Sequence, residues 1–183
     1  MNMPSKKASA SLRYLGLING FRTAPTILAD VLVLLNQYDT SSVVVTGHSL
    51  GAALALLDSV YLQLHLPEGT NITMVGYGMP RVGNPAFANY VDALNSNNTV
   101  TVTVTHINHK KDPITIVPGK FLGYEHPNGE IHIQDDSGTT WEVCPGHDNP
   151  SPLCATGDET VVDPLNILDH LGPYDFGIIM GLC

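Results

Sequence analysis

Positive charge is scarce in this sequence: eight Lys and Arg stand against seventeen Asp and Glu over 183 residues, a formal net charge of −9. Lys/Arg-rich patches are the usual means of holding nucleic acid or an anionic membrane surface, so that balance excludes a nucleic-acid partner and leaves simple solubility as its plain meaning. Long apolar runs are missing too, and no stretch reaches the roughly 18 residues of a membrane span. Lys6 and Lys7 precede Ala8–Ile18, but Ser9, Ser11, Arg13 and Tyr14 interrupt any leader-like core, so no signal peptide reads out. There are no internal repeats and no low-complexity segments. Cysteine is limited to three residues, Cys144, Cys154 and Cys183.

What is present suits a globular enzyme. Hydrophobic residues make up 43% of the chain, enough to fill a core, and the length predicts one domain over residues 1–183. The richest segment runs from Ser42 through Val43-Val44-Val45-Thr46 into Gly47-His48-Ser49-Leu50-Gly51 and on to Ala52-Ala53. A Val run reads as a buried parallel strand and the Ala/Leu run behind it as a helix. Gly-x-Ser-x-Gly between such elements places Ser49 on a sharp turn above the sheet, at the positive end of the following helix. Gly47 and Gly51 give that turn its room. Ser49 is therefore the candidate nucleophile of a serine hydrolase.

A serine hydroxyl needs a base to remove its proton, and the base needs a third group to fix its tautomer. On sheets of this type the order along the chain is serine, acid, histidine. The run Thr99–Ile107 has high strand propensity and leads into Asn108-His109-Lys110-Lys111-Asp112-Pro113. Asp112 thus falls just past a strand end, where open α/β sheets gather their functional groups. Near the C-terminus, Ile167-Leu168-Asp169-His170-Leu171-Gly172-Pro173 offers His170 as a base carried beside a Gly-Pro loop.

Four segments in series, GHSLGAALA, YGMPRVGNPAFANYV (Tyr77 to Val91), KDPITIVP (Lys111 to Pro118) and ILDHLGPYDFG (Ile167 to Gly177), resemble the fungal class 3 lipases in order and spacing. The resemblance extends from about Phe21 to Cys183. It implies an α/β-hydrolase-type fold, with a mostly parallel sheet and crossover helices, and gives Ser49, Asp112 and His170 the roles of nucleophile, acid and base. The backbone N–H of Leu50 becomes one oxyanion donor. Members of that family carry an N-terminal region with further strands, a lid helix and a second oxyanion donor. Met1–Gly20 shows no Gly-Thr pair and no amphipathic lid, so the reading is of a chain shortened at its N-terminus. An open groove then predicts no rate jump at the solubility limit of the substrate, and an uncovered apolar patch predicts a homodimer. Loss of one oxyanion donor typically slows catalysis by about 100- to 1,000-fold.

Cys144 and Cys154 bracket a loop too rich in Pro and polar residues to hold its shape by packing, and a disulfide between them is the expected staple, contributing about 2–3 kcal/mol. The resemblance implies the same pair. Cys183 is left odd, a free thiol or an intermolecular bridge. Asn71-Ile72-Thr73 and Asn97-Asn98-Thr99 are glycosylation sequons, and with the disulfide they point to a secreted protein. His48 is read as packing rather than as a base, His106 and His109 fall on opposite faces of a strand and make no metal pair, and His126, His132 and His147 are placed in turns or at the surface. Arg81 reads as a structural hydrogen-bond donor. Pro25 is placed in the first turn of a helix, and Phe121–His126 with Ile131–Gln134 is read as a hairpin around Pro127-Asn128-Gly129.

These readings converge on a carboxylic ester hydrolase with a lipid-like ester substrate, needing no cofactor and no metal, in transient contact with a lipid surface. A catalytically silent relative and a feruloyl-type esterase are the alternatives.

Overall fold

A computed structural model describes residues 20–94 and 99–181. The readings placed on residues 1–19, on Asn97-Asn98 and on Cys183 lie outside the described residues. Chain order is α1 (Gly20–Tyr38), β1 (Ser42–His48), α2 (Leu50–Gln63), β2 (Asn71–Tyr77), α3 (Pro85–Leu94), β3 (Thr101–His109), β4 (Glu130–Ile133), β5 (Trp141–Cys144) and α4 (Ala155–Asp158). A 3-10 segment, Pro164–Leu171, carries the chain to its last loops.

The five strands form one sheet in the order β1-β2-β3-β4-β5. The first four are parallel and β5 closes the edge antiparallel to β4. Period-two alternation in these strands sorts the sheet into two faces. Ile72, Met74 and Val102 are buried, with Val43, Val45 and Val104 partly so, and α1, α2 and α3 cover them through Val31, Ala55, Leu56, Leu62, Val91 and Leu94. On the opposite face Ser42, Val44, Thr46, Asn71, Thr73 and Thr103 are exposed, in keeping with the Thr-Val alternation of β3. Burying an aliphatic side chain such as Leu56 or Leu62 is worth about 1.5–3 kcal/mol, so this helical layer holds the strand ends in place. A second cluster of Ile107, Ile133 and Tyr174 packs at the C-terminal ends of β3 and β4.

Two local readings need correction. Pro25 lies inside α1 rather than in its first turn, since the helix already begins at Gly20. The hairpin around Asn128-Gly129 does not form. Phe121 and Leu122 belong to a 3-10 turn, β4 pairs with β3 in parallel, and its antiparallel partner β5 comes later in the chain. Asn128 is used for side-chain and main-chain ties instead: its N–H donates to Asp92 and its Oδ1 accepts from Gly146 N–H.

Candidate active site

The elbow forms where the strand pattern meets the helix pattern. Ser49 has φ 58° and ψ −132°, a conformation costly for a residue with a side chain, and its hydroxyl makes no capping bond to α2. Its N–H donates to Tyr77 O at 2.9 Å, tying the turn to the end of β2. The turn is possible because Gly47 has no side chain: a Cβ there would stand 2.2 Å from Gly51 O. Leu50 is the first residue of α2, so its N–H belongs to the helix-terminal set without an intrahelical acceptor.

Asp112 and His170 meet at the ends of β3 and of the 3-10 segment. His170 Nδ1 lies 2.8 Å from Asp112 Oδ2, and both residues are buried. A carboxylate can only accept, so Nδ1 carries the proton and Nε2 of the neutral ring keeps its lone pair. Asp112 Oδ1 accepts from Ile114 N–H at 2.8 Å, which fixes the carboxylate plane from its other side. Gly78, at φ 55°, passes directly beneath the pair; a Cβ there would stand 2.9 Å from both Asp112 Oδ2 and the His170 ring. The end of β2 thus touches the serine turn through Tyr77 and lies against the Asp112–His170 pair at Gly78.

Other side chains complete the enclosure. His48 Nε2–H donates to His170 O at 2.7 Å, and the two rings lie 4.4 Å apart. That agrees with a packing role and adds a specific bond from the residue next to Ser49 to the backbone of His170. Burial holds the His48 pKa below its usual value, a shift only partly offset by the bond to His170. Tyr174, fully buried, donates to His170 O and sets its ring against Tyr77 and His109. His109 Nδ1 bonds Asp169 O, linking the end of β3 to the base segment. Among the described residues no cluster of His, Cys, Asp or Glu is arranged to hold a metal ion.

Arg81 is buried and structural, as its sequence context suggests, forming an ion pair with Asp148 at 2.7 Å. His126 and His132, placed in turns or at the surface by the sequence reading, are buried. His132 sits in β4, between Leu153 O and Lys110 O, and His126 stacks on His106 with ring centroids 4.8 Å apart. Cys144 and Cys154 are joined by a disulfide. The loop they close is held more firmly than its composition suggests, because Asp148 inside it is buried and fully bonded. Gly78 and Tyr174 were given no role in the site from sequence. Only Gly78 carried a local signal, as a glycine directly after a strand.

A parallel sheet with a strand–serine–helix elbow, and an Asp–His pair beyond later strands, defines an α/β-hydrolase-type protein. The sequence profile of the family "Lipase (class 3)" matches residues 7–122, and the chain belongs to that family. A secreted mono- and diacylglycerol lipase of Malassezia globosa is 35% identical over 174 residues, covering 91% of this chain and 54% of that protein. The solved triacylglyceride lipase of Rhizomucor miehei superposes with a TM-score of 0.72 at 33% identity, covering 90% of this chain and 58% of that one. The mono- and diacylglycerol lipase of Aspergillus oryzae gives 0.70 at 25% identity, over 85% and 56%. The chain spans about half the length of the relatives it matches.

Proposed function

We propose that this chain works as a single α/β-hydrolase-type unit that hydrolyses carboxylic esters of acylglycerols or related lipids through an acyl-enzyme on Ser49. The observation that carries the reading is the buried Asp112–His170 bond, which puts the proton of a neutral imidazole on Nδ1 and its lone pair on Nε2, together with a serine on a strained elbow. His170 takes the Ser49 hydroxyl proton as Oγ attacks the ester carbonyl. The tetrahedral oxyanion is met by Leu50 N–H. Collapse breaks the bond to the alcohol, which leaves with the proton from His170. Water, deprotonated in turn by His170, then releases the carboxylic acid and restores Ser49. Asp112 orients the imidazole and stabilises its cation without taking the proton.

The names of the relatives, mono- and diacylglycerol lipases, support the lipid-ester substrate, and their description as secreted supports export. The disulfide fits an oxidising compartment. Val161, Val162, Leu165 and Leu168 are exposed just ahead of His170 and offer an apolar face for transient contact with a lipid surface. Self-association into a dimer completes the proposal, and light scattering with and without reductant tests it: a monomer of about 20 kDa in both conditions would exclude it. For the chemistry the test is labelling with a fluorophosphonate and mapping of the modified residue. Label on Ser49 is expected; a folded protein that takes none would instead be a catalytically silent relative.

A further inference from the structure

The segment that follows Asp112 has no regular secondary structure, yet four successive carbonyls in it are each held by a hydrogen bond from outside the segment. His126 Nε2–H donates to Thr115 O at 2.7 Å. Arg81 supplies the other three: Nη1 donates to Ile116 O and to Pro118 O, the latter at 3.1 Å, and its backbone N–H donates to Val117 O at 2.8 Å. At the near end of the segment Thr115 ties back to the acid itself, its N–H and its hydroxyl both donating to Asp112 O. Irregular backbone buried beside a catalytic carboxylate needs partners for its carbonyls, and here a guanidinium and an imidazole provide them.

Both donors are themselves fixed by one carboxylate. Asp148 Oδ1 accepts from Arg81 Nε at 2.8 Å and from Thr156 Oγ1 at 2.8 Å, and Oδ2 accepts from His126 N–H at 3.2 Å. Arg81 Nη2 also reaches Thr156 Oγ1. Asp148 lies inside the loop closed by Cys144–Cys154, and Thr156 lies two residues past it. A guanidinium is suited to this post because its rigid fork can serve a carboxylate and separate carbonyls at once, which an ammonium cannot.

From this arrangement we infer that Arg81, held by Asp148 of the disulfide loop, is the positioning residue for Asp112: it sets the 112–118 segment so that the carboxylate meets His170 Nδ1. The inference rests on the reading of Ser49, Asp112 and His170 as a catalytic triad. Arg81 touches no substrate in this scheme; it acts through the acid. The disulfide becomes part of the catalytic apparatus at one remove, by closing the loop from which Asp148 reaches inward.

Arg81→Lys tests the positioning, because it keeps a cation beside Asp148 but loses the fork. A misplacement of about 1 Å in a catalytic group costs on the order of 100-fold, so kcat is expected to fall about 10- to 100-fold while KM stays close to the parent's; the carbonyl bonds lost with the fork lower the urea midpoint as well, so kcat is read where the variant is fully folded. In an Asp112→Asn background the same change should cost little more, since the residue it positions is already disabled. The proton on His170 Nδ1, held by a carboxylate, should give a far-downfield NMR signal in the parent that broadens or vanishes in Arg81→Lys. That signal does not depend on turnover, so it tests the positioning even in a protein that hydrolyses nothing. Unchanged kcat and an unchanged signal in Arg81→Lys would overturn the inference, as would an equal loss in both backgrounds. Absence of the signal from the parent would overturn it together with the triad. Should Arg81→Lys not fold, Arg81→Met combined with Asp148→Leu removes both buried charges at once, and full activity with the signal intact in that pair would overturn it equally.

Discussion

Ser49 is held at φ 58°, a conformation that costs about 1–3 kcal/mol and persists only because the surrounding structure dictates it. Its neighbours dictate it through two main-chain ties: the Ser49 N–H bond to Tyr77 O at the end of β2, and the first helical bonds of α2, in which Ser49 O accepts from Ala52 and Ala53 N–H. Ser49 is thus fixed from the strand side and the helix side, while His170 is fixed by Asp112, His48 and Tyr174. Residues that act as one catalytic unit lose activity non-additively. Ser49→Ala and His170→Ala should each remove nearly all esterase activity while the protein stays folded, and the double variant should be hardly worse than either. A further large loss in the double variant would show that the two do not work together.

At the scale of elements, the two glycines of the elbow are not equivalent. A Cβ on Gly47 would be driven into the Gly51–Ala52 backbone, whereas a Cβ on Gly51 meets nothing within 4 Å among the described residues. Gly47→Ala should therefore push the turn apart and lower fluorophosphonate labelling of Ser49 by on the order of 100-fold. Gly51→Ala should leave the elbow in place and raise helix stability by up to about 1 kcal/mol, read as an increased urea midpoint. Equal damage from both would mean that the turn is not set by this close approach. The elbow was legible in the sequence because its signals are local: a β-branched run, a motif and an Ala/Leu run, in that order. β3 was legible for the same reason, the run Thr99–Ile107 matching it to within two residues at each end. The region from 119 to 158 was less so. Asn128-Gly129 is a strong hairpin signal, but the pairing of β4 with β3 depends on residues twenty and more positions apart, which no window of turn residues reports. His126 and His132 misled in the same way: each is buried because carbonyls from distant segments, Thr115 and Leu153 among them, come to accept its bonds.

Across the whole molecule, the titrating histidines set how stability responds to acid. His106 and His126 are buried and stacked, and burial holds both below the usual histidine range, His126 to about 3 with the neighbouring His106 charge as a second cause. The charged and titratable groups facing them, Glu130, Asp92, Asp148 and Arg81, do not reverse that direction. In the unfolded chain both would titrate near 6.5. As pH falls through that value the unfolded state takes up protons that the folded state refuses, so stability falls with pH; His126 alone gives a slope that approaches about 1.4 kcal/mol per pH unit, and His106 adds to it in the same direction. His48 shifts in the same direction. His147 works oppositely: burial lowers it, but its bonds to Asp92 and Glu125 win and raise it, so its contribution is complete below about 6.5 and is lost as pH rises through its folded value. Asp58 and Glu159, both raised by burial, favour the folded state as they take up protons, but as carboxylates they act at the lower end of the range. The window from about pH 6.5 to 5.5 therefore belongs to the buried histidines. Urea midpoints across that window should decline steeply, and His126→Gln should flatten the decline by about one proton's share, roughly 1.4 kcal/mol per pH unit. Midpoints that hold constant from about pH 6.5 to 5.5 would mean that His106 and His126 are free to take up protons in the folded protein, against the buried, stacked arrangement that holds them neutral.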